Sequence, residues 1–373
     1  MKKQILSVLF AASVFSGFAT DYDDPEPSGF FTSMLNVAVA CATVIFFGAF
    51  SACGVSPEVL PNPEEVTQTS TIENEAENND LSSDSANGAG STDSSTGNLS
   101  VSETVYPLTI SDSNGKSVTI EAEPERIVSI APNLTEMIYE LGAGEKLVGR
   151  SDYCNYPAEC LEVESIGDLF YPDMEKIISL KPDLILLSTI ISEDEAESLE
   201  AVGVPILFLH DESSIEGVYD MVEILGRAIN RNAEATACVD AMKANIADAA
   251  AKTAGLEKPR VYYVVSYGEY GDFTATGDTF TSQILELAGG INVAKDSTAW
   301  FYSLEQLVEA DPEYIILPDY MKEDFCAAEN YKDLTAVKEG RVIVFDTDML
   351  DRQGIRNDDA VVELAKIFHP EAF

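Results

Sequence analysis

Histidine and basic side chains are scarce in this chain of 373 residues. Two histidines, His210 and His369, stand far apart, and 22 lysines and arginines face 65 acidic residues, giving a formal charge of −43. With only two imidazoles, histidine-rich metal chemistry is nearly excluded. The acidic excess would repel phosphate backbones and anionic lipid surfaces, so nucleic acid is not an expected partner.

Signatures of common catalytic sites are also absent. The sequence has no nucleophile elbow, no complete Gly-x-x-x-x-Gly-Lys-Ser/Thr phosphate loop and no His-Glu-x-x-His. Gly142-Ala143-Gly144 follows a helical pattern rather than a strand, which is the wrong context for a dinucleotide loop. We therefore predict no catalytic residue, no metal ligand and no enzyme.

Six cysteines are too few for a disulfide scaffold in a chain of this length. Cys154 and Cys160 are close enough in sequence for a loop disulfide, at a spacing that matches no common zinc motif. Cys238 and Cys326 are a second candidate pair. The sequence decides neither bond.

Residues 1–53 read as a membrane-targeting segment. Lys2 and Lys3 precede an apolar run typical of an export signal. A second apolar run, residues 30–52, is long enough to cross a bilayer and ends at Cys53 in a stretch that resembles a bacterial lipobox. Acylation of Cys53 and a retained transmembrane anchor are the two alternatives, and each would hold the folded part outside the membrane.

Residues 54–104 contain many acidic and small polar residues and no lysine or arginine. Such a segment cannot bury a core, so we predict a disordered, self-repelling linker.

From residue 105 onward, short apolar runs alternate with helical patterns, which is typical of parallel sheets covered by helices. The first two runs, 106–111 and 116–121, flank Asn114-Gly115 and predict a hairpin with a type I′ turn. The fold class is α/β, with two parallel-sheet lobes at 105–230 and 259–373 joined by a single long helix within 231–258. That helix is predicted over residues 233–256, with Asn232 as N-cap and Gly255 as C-cap.

An internal repeat supports two similar lobes. The segments are MEKIISLKPDLILL at 174–187 and LEQLVEADPEYIIL at 304–317, an offset of 130 residues. Each predicts a helix with a glutamate, Glu175 or Glu305, in its first turn. A helix dipole alone would favour a carboxylate there, by about 0.3 to 1 kcal/mol. Two equivalent acids could instead orient a two-fold basic partner.

Aromatic residues gather in predicted loops, mostly after the strands, where open α/β sheets bind ligands. They predict a cleft for a large, flat or apolar ligand and are Tyr153, Phe170, Tyr171, Tyr267, Phe273, Trp300 and Phe301. Arg352 and Arg356 are candidates to clamp an anionic group. Pairing of these arginines at the surface with Asp351, Asp358 or Asp359 is the alternative.

Five segments together resemble the iron-complex and cobalamin substrate-binding proteins of ABC importers. They are PERIVSIAPNLTE at 124–136, LGAG at 141–144, SDYCNYP at 151–157, EKII at 175–178 and KPDLI at 181–185. The resemblance covers about residues 105–373. It implies two lobes on one long rigid helix, a ligand cleft between them that includes Pro132 and Asn133, and no catalysis.

The resemblance also implies roles for single residues. Glu175 and Glu305 would dock into arginine pockets on the permease. In cobalamin binders, Tyr153 would face the corrin and Trp300 would match the second-lobe tryptophan, whereas Phe170-Tyr171 stands where the enterobacterial cobalamin binder has a tryptophan. Ferric siderophore binders often use tyrosines and arginines, which Tyr267, Arg352 and Arg356 would supply.

The predicted function is the extracytoplasmic substrate-binding component of an ABC importer, anchored at the outer face of the cytoplasmic membrane. It would have no cofactor of its own and would deliver a metal chelate, either cobalamin or another corrinoid, a ferric siderophore or haem. Its partners would be a permease dimer and its ATPase. The alternatives are a surface sensor or adhesin, or an enzyme on the same two lobes.

Overall fold

A computed structural model describes residues 103–188, 193–210, 214–268 and 271–373. The predicted export signal, the Cys53 acylation site and nearly all of the acidic linker lie outside the described residues. Within them, no helix combines the length and the apolar composition that a membrane span requires.

The first lobe is a parallel sheet preceded by a hairpin. Its strands are β1 Leu108–Ser111 and β2 Ser117–Ile120 in the hairpin, then β3 Ile127–Ser129, β4 Leu147–Arg150, β5 Leu184–Leu187 and β6 Ile206–Phe208. Its helices are α1 Pro132–Glu140, α2 Met174–Leu180, α3 Glu193–Glu200 and α4 Ile215–Ala228, with 3-10 turns at Gly144–Lys146 and Ala158–Glu162. The parallel strands lie in the order β4-β3-β5-β6. The predicted alternation of strands and helices is confirmed.

Helix α5, Asn232–Thr253, leads to a second lobe of the same kind. Its strands are β7 Arg260–Tyr263, β8 Ile291–Asn292, β9 Tyr314–Leu317 and β10 Val342–Val344. Its helices are α6 Phe280–Leu287, α7 Leu304–Ala310, α8 Asp319–Ala327, α9 Thr335–Lys338, α10 Asp348–Asp351 and α11 Asn357–Phe368, followed by a 3-10 turn at Pro370–Ala372. The strands are parallel in the order β10-β9-β7-β8.

Both sheets are buried on both faces. Successive residues of a strand point to opposite faces. In β5, Leu184 and Leu186 belong to one apolar cluster, and Ile185 and Leu187 belong to another. Strand β7 divides in the same way, and its Tyr263 shares the first cluster with Leu186. The inner faces of the two sheets therefore share one core.

Helix α5 joins the lobes, and its buried residues fall three or four apart, as one apolar face requires. They are Ala235, Val239, Met242, Ile246, Ala249 and Thr253. The helix packs against α4 of the first lobe and α11 of the second. Gly226 of α4 allows this approach, since a Cβ there would lie 2.4 Å from the Cβ of Ala235.

The ends of α5 follow the sequence only in part. The helix ends at Thr253, three residues before its predicted end, and Ala254 rather than Gly255 is the C-cap. Gly255 follows with a φ of +78°. The prediction of Asn232 as N-cap is wrong, because Arg231 holds that position. The Asn232 side-chain amide instead donates to Thr104 Oγ1 at 2.9 Å, before the first strand.

The hairpin is confirmed, but its predicted type I′ turn is wrong. Ser111 pairs with Ser117, which leaves five residues, 112–116, in the loop. Gly115 has a φ of +76°, whereas Asn114 does not take the positive φ that a type I′ turn requires. The Asp112 carboxylate accepts the backbone N–H groups of Asn114 and Lys116 at 2.9 and 2.8 Å, so this side chain organises the loop.

The internal repeat appears in the structure at the same offset. Helices α2 and α7 begin and end 130 residues apart, and so do β5 and β9. Both helices end at a residue with left-handed backbone, Lys181 with φ 50° and Asp311 with φ 39°. The two lobes thus share a helix, a turn and a strand built from the same pattern.

Candidate ligand-binding site

The carboxyl ends of the two parallel sheets meet at one junction. Asn133 lies in the first turn of α1, directly after β3, beside the half-buried Pro132. The Asn133 amide donates to Ser188 Oγ, after β5, and to the backbone oxygen of Gln353 in the second lobe, both at 2.9 Å. Ligands of open α/β sheets bind at this edge of the strands.

A buried ion cluster crosses the same junction. Glu136 of α1 is 1% exposed and accepts from Arg352 Nη1 at 2.6 Å, from Arg356 Nε at 2.8 Å and from Arg356 Nη2 at 2.9 Å. Each arginine also pairs with an aspartate of its own lobe, Arg352 with Asp348 at 2.8 Å and Arg356 with Asp346 at 3.0 Å. We call these five residues the junction cluster. It holds α1 of the first lobe to the segment before α11 of the second.

The junction cluster has two further neighbours in the loop after β4. Asn155 accepts from Arg352 Nη1 at 2.8 Å, and the exposed Tyr156 ring lies 4.5 Å from the Arg356 guanidinium. A cation over an aromatic face is attracted by the ring quadrupole. Arg352 and Arg356 are thus engaged by protein groups in this structure, and their predicted ligand contacts stay a prediction.

In the first lobe, Asp168 brings the predicted aromatic residues together. Its carboxylate accepts the Tyr153 hydroxyl at 3.3 Å and the backbone N–H groups of Phe170 and Tyr171 at 2.7 and 3.2 Å. Tyr171 is exposed, and Tyr153 and Phe170 are half-buried. One carboxylate therefore fixes two loops into a single aromatic edge.

In the second lobe, Phe273, Trp300 and Phe301 lie on two paired loops and form the aromatic edge of that lobe. The Phe273 and Phe301 rings meet edge to face with centroids 6.1 Å apart. The Trp300 backbone N–H donates to Thr276 Oγ1 at 3.0 Å, and the Trp300 carbonyl accepts from the Thr274 N–H at 2.9 Å. Trp300 has a φ of +63°, a costly conformation for a bulky residue and one that tends to occur at functional sites. Its side chain is exposed.

Tyr267 has a different setting from the other predicted aromatics. Its ring packs edge to face on Phe325 at 4.9 Å and on Tyr331 at 5.3 Å, within the second lobe. Tyr331 in turn donates to the buried Asp272 carboxylate at 2.6 Å. Burial raises the pKa of Asp272 in spite of that hydrogen bond. Tyr267 therefore rests on a structural network, and its ligand contact stays a prediction.

Another acid lies next to the junction cluster. The Tyr263 hydroxyl, at the end of β7, bonds both oxygens of Asp351, at 2.8 and 2.9 Å. Burial raises the pKa of Asp351 to about 7, and the Asp348 charge adds to the effect. The Tyr263 hydrogen bond and the Arg352 charge oppose it. This carboxyl is therefore protonated in mildly acidic solution and ionised in basic solution.

The described residues contain no group of three or more His, Cys, Asp or Glu side chains that could hold a metal ion. In that part of the chain Cys154, Cys160, Cys238 and Cys326 are free thiols. Cys160 Sγ lies 3.4 Å from the backbone oxygen of Cys154, and both side chains are buried.

The profile of the periplasmic binding protein family matches residues 127–349, which cover both aromatic edges, α5 and the first-lobe side of the junction. The chain belongs to that family. The expected fold class, two parallel-sheet α/β lobes joined by a long helix, agrees with this assignment.

Relatives of this periplasmic binding protein include transport proteins. An uncharacterized ABC transporter substrate-binding lipoprotein of Bacillus subtilis is 33% identical over 276 residues, spanning 72% of this chain and 88% of the relative. The vitamin B12-binding protein of Vibrio parahaemolyticus is 28% identical over 257 residues, spanning 68% of this chain and 92% of the relative.

Two solved structures of this fold are also similar. The periplasmic vitamin B12 binding protein of Vibrio cholerae superposes with a TM-score of 0.57 at 26% identity, covering 66% of this chain and 98% of the other. The apo haem-binding protein RhuT from Roseiflexus sp. RS-1 superposes with a TM-score of 0.59 at 25% identity, covering 67% and 99%. None of these four relatives is described as an enzyme, a sensor or an adhesin.

Glu175 and Glu305 of this periplasmic binding protein lie exposed in the first turns of α2 and α7. Other side chains cap the two helices, since Asp173 accepts the Lys176 N–H at 3.0 Å and Ser303 accepts the Gln306 N–H at 3.3 Å. The glutamates are therefore not needed as caps.

Sequence reasoning missed Glu136, Asn155 and Tyr156 as site residues. Glu136 is the last residue of the PERIVSIAPNLTE segment, but its arginine partners are 216 and 220 residues away along the chain. Two cationic residues four apart, as Arg352 and Arg356 are, were the available signal, because such a pair needs a carboxylate partner when it is buried.

Proposed function

We propose that this protein binds a metal chelate with a flat macrocycle, a corrinoid such as cobalamin, at the junction of its two lobes and delivers it to an ABC permease. The observation that carries the proposal is the pair of aromatic edges, one after the strands of each lobe. Aromatic rings offer a large apolar face at low cost in side-chain entropy. The similarity to vitamin B12-binding proteins supports the corrinoid.

Haem is the second candidate ligand, favoured by the similarity to RhuT. Both ligands are flat chelates, so the same aromatic edges would suit either. In both cases we propose capture without chemical conversion of the ligand.

The shared core and the junction cluster favour a site that is largely formed before the ligand arrives. Moving one lobe relative to the other would expose the core around α5 and separate Glu136 from its arginines. Small-angle scattering with and without ligand tests this, and a large closure of the lobes would contradict it.

A titration of the intrinsic fluorescence tests the ligand. Trp300 is the only tryptophan in the chain, so the signal has a single source. We expect saturable quenching by cyanocobalamin or haem at one ligand per protein, with a matching calorimetric stoichiometry. N-acetyltryptophanamide corrects for absorption by these coloured ligands. A ferric hydroxamate siderophore is the third arm. Binding of the siderophore alone, or of none of the three in both methods, would refute the proposal.

We further propose that Glu175 and Glu305 contact basic residues of the permease and that acylated Cys53 anchors the chain. Arginine at both glutamate positions should abolish uptake while ligand affinity stays unchanged. Intact-mass analysis of the membrane fraction, compared with Cys53→Ser, tests the lipid: an unmodified Cys53 would contradict acylation.

A further inference from the structure

Helices α2 and α7 each expose an aliphatic side chain at the equivalent position. Ile178 is 56% exposed and Val308 is 52% exposed. Each helix has one fully buried residue, Ile177 or Leu307, that attaches it to its lobe. Single exposed apolar residues are common on protein surfaces. The same exposure at the same place in both lobes is the feature that needs explanation.

Helices α2 and α7 have the same type of side chain at only some of their equivalent exposed positions. In order along the helices, the matched pairs are Glu175 with Glu305, Lys176 with Gln306, Ile178 with Val308 and Ser179 with Glu309. The second and fourth pairs have diverged in charge. The carboxylate pair and the aliphatic pair have not.

The retained positions form one strip on each helix. Residues three apart on a helix are neighbours on its surface, so Ile178 adjoins Glu175 and Val308 adjoins Glu305. An exposed aromatic residue stands four positions before each glutamate, Tyr171 in the first lobe and Phe301 in the second. Each lobe thus presents an aromatic, a carboxylate and an aliphatic side chain in the same order and at the same spacing.

We propose that Ile178 and Val308 are the apolar half of the surface that docks on the permease, each entering an apolar pocket on one of two like subunits. This rests on the proposed function. A duplicated surface fits a partner that itself presents two equal sites. Exposed charges mainly steer and orient association, whereas buried apolar side chains slow dissociation. The glutamates and the aliphatic side chains would therefore divide these two tasks.

The test measures binding of the full chain to the purified permease–ATPase complex of its host in nanodiscs. Ile178→Gln and Val308→Gln keep a neutral side chain and a good helix former. We expect each to weaken binding about tenfold, which corresponds to about 1.4 kcal/mol, and the double variant about a hundredfold. Leu161→Gln, at a side chain 53% exposed outside both helices, is the matched control and should not change the affinity.

Thermal unfolding and the Trp300 titration should be unchanged in all of these variants. Binding of the double variant within twofold of the parent would overturn the inference, and so would a loss from only one helix. If Glu175→Arg with Glu305→Arg abolished docking in that case, the proposed function would stand. If the parent protein failed to bind the complex, both this inference and the proposed function would be refuted. A parent dimer that the double variant converts to monomer in sedimentation would assign the surface to a second copy and also overturn it.

Discussion

Replacing Glu136 by glutamine removes one charge from the middle of the junction cluster. The side chain is 1% exposed and accepts three hydrogen bonds from two guanidinium groups that are themselves mostly buried. Removing one partner of a buried ion pair costs about 3 to 5 kcal/mol. Asp346 and Asp348 stay in contact with the arginines, and glutamine keeps one acceptor oxygen, so we expect the lower value, about 3 kcal/mol.

Urea unfolding followed by circular dichroism and by Trp300 fluorescence measures this loss. In a thermal melt of a protein of this size, the same loss of about 3 kcal/mol would lower the melting temperature by about 6 to 12 °C. Circular dichroism follows both lobes and Trp300 follows the second, so uncoupling of the lobes would make the two transitions separate.

Glu125→Gln is the control for Glu136→Gln. The Glu125 side chain is 72% exposed and lies 3.9 Å from Lys146. Exposed pairs contribute about 0 to 1 kcal/mol, so this variant should unfold with the parent. If Glu136→Gln lost less than about 1 kcal/mol, the junction cluster would not couple the lobes.

Three further predictions concern single residues. Gly226→Ala should destabilise the protein by about 1 to 3 kcal/mol in urea, because the new methyl group would overlap Ala235; helix propensity alone would give the opposite sign. Burial raises the pKa of Asp351 to about 7, so the folded protein holds a proton that the unfolded chain releases, and stability should fall as pH rises from about 4 to about 7. In Asp351→Asn the amide oxygen still accepts the Tyr263 hydroxyl but the side chain no longer titrates. The slope of unfolding free energy against pH should therefore become flatter in this range, by at most about 1.4 kcal/mol per pH unit. An unchanged slope would contradict the assignment. Burial also raises the pKa of the Cys154 thiol, so it should react with Ellman's reagent at pH 8 only slowly until the protein is unfolded, and fast native labelling would show an open loop.

Features set by nearby residues were predictable from the sequence. The face of α5 and the offset of 130 between α2 and α7 are periodic patterns, and the positive φ of Gly255 shortly after α5 reflects the backbone freedom of glycine. Features that depend on distant partners were not. Asn232 looked like a cap, but its amide reaches Thr104, 128 residues away.

In the site, too, features set by nearby residues were predictable and features that depend on distant partners were not. The aromatic residues after the strands could be named because the carboxyl ends of parallel strands form a common edge. Their organiser, Asp168, could not, since one aspartate in an acidic chain carries no distinguishing signal. Arg352 and Arg356 were noticed as a pair, but their buried partner Glu136 lies in the other lobe and only the fold brings it near.

The order of strands along the chain has a consequence for how the protein is made. All strands of the first sheet precede α5, and all strands of the second follow it. The first sheet can therefore close while the rest of the chain is still being synthesised, as N-terminal domains generally do. Helix α5 is then covered only by α4, because α11, which packs against its other side, is made last among the described helices. A nascent chain stalled before α11 would hold one finished sheet beside an exposed apolar face, and this face is where we expect chaperones or proteases to act on incomplete molecules.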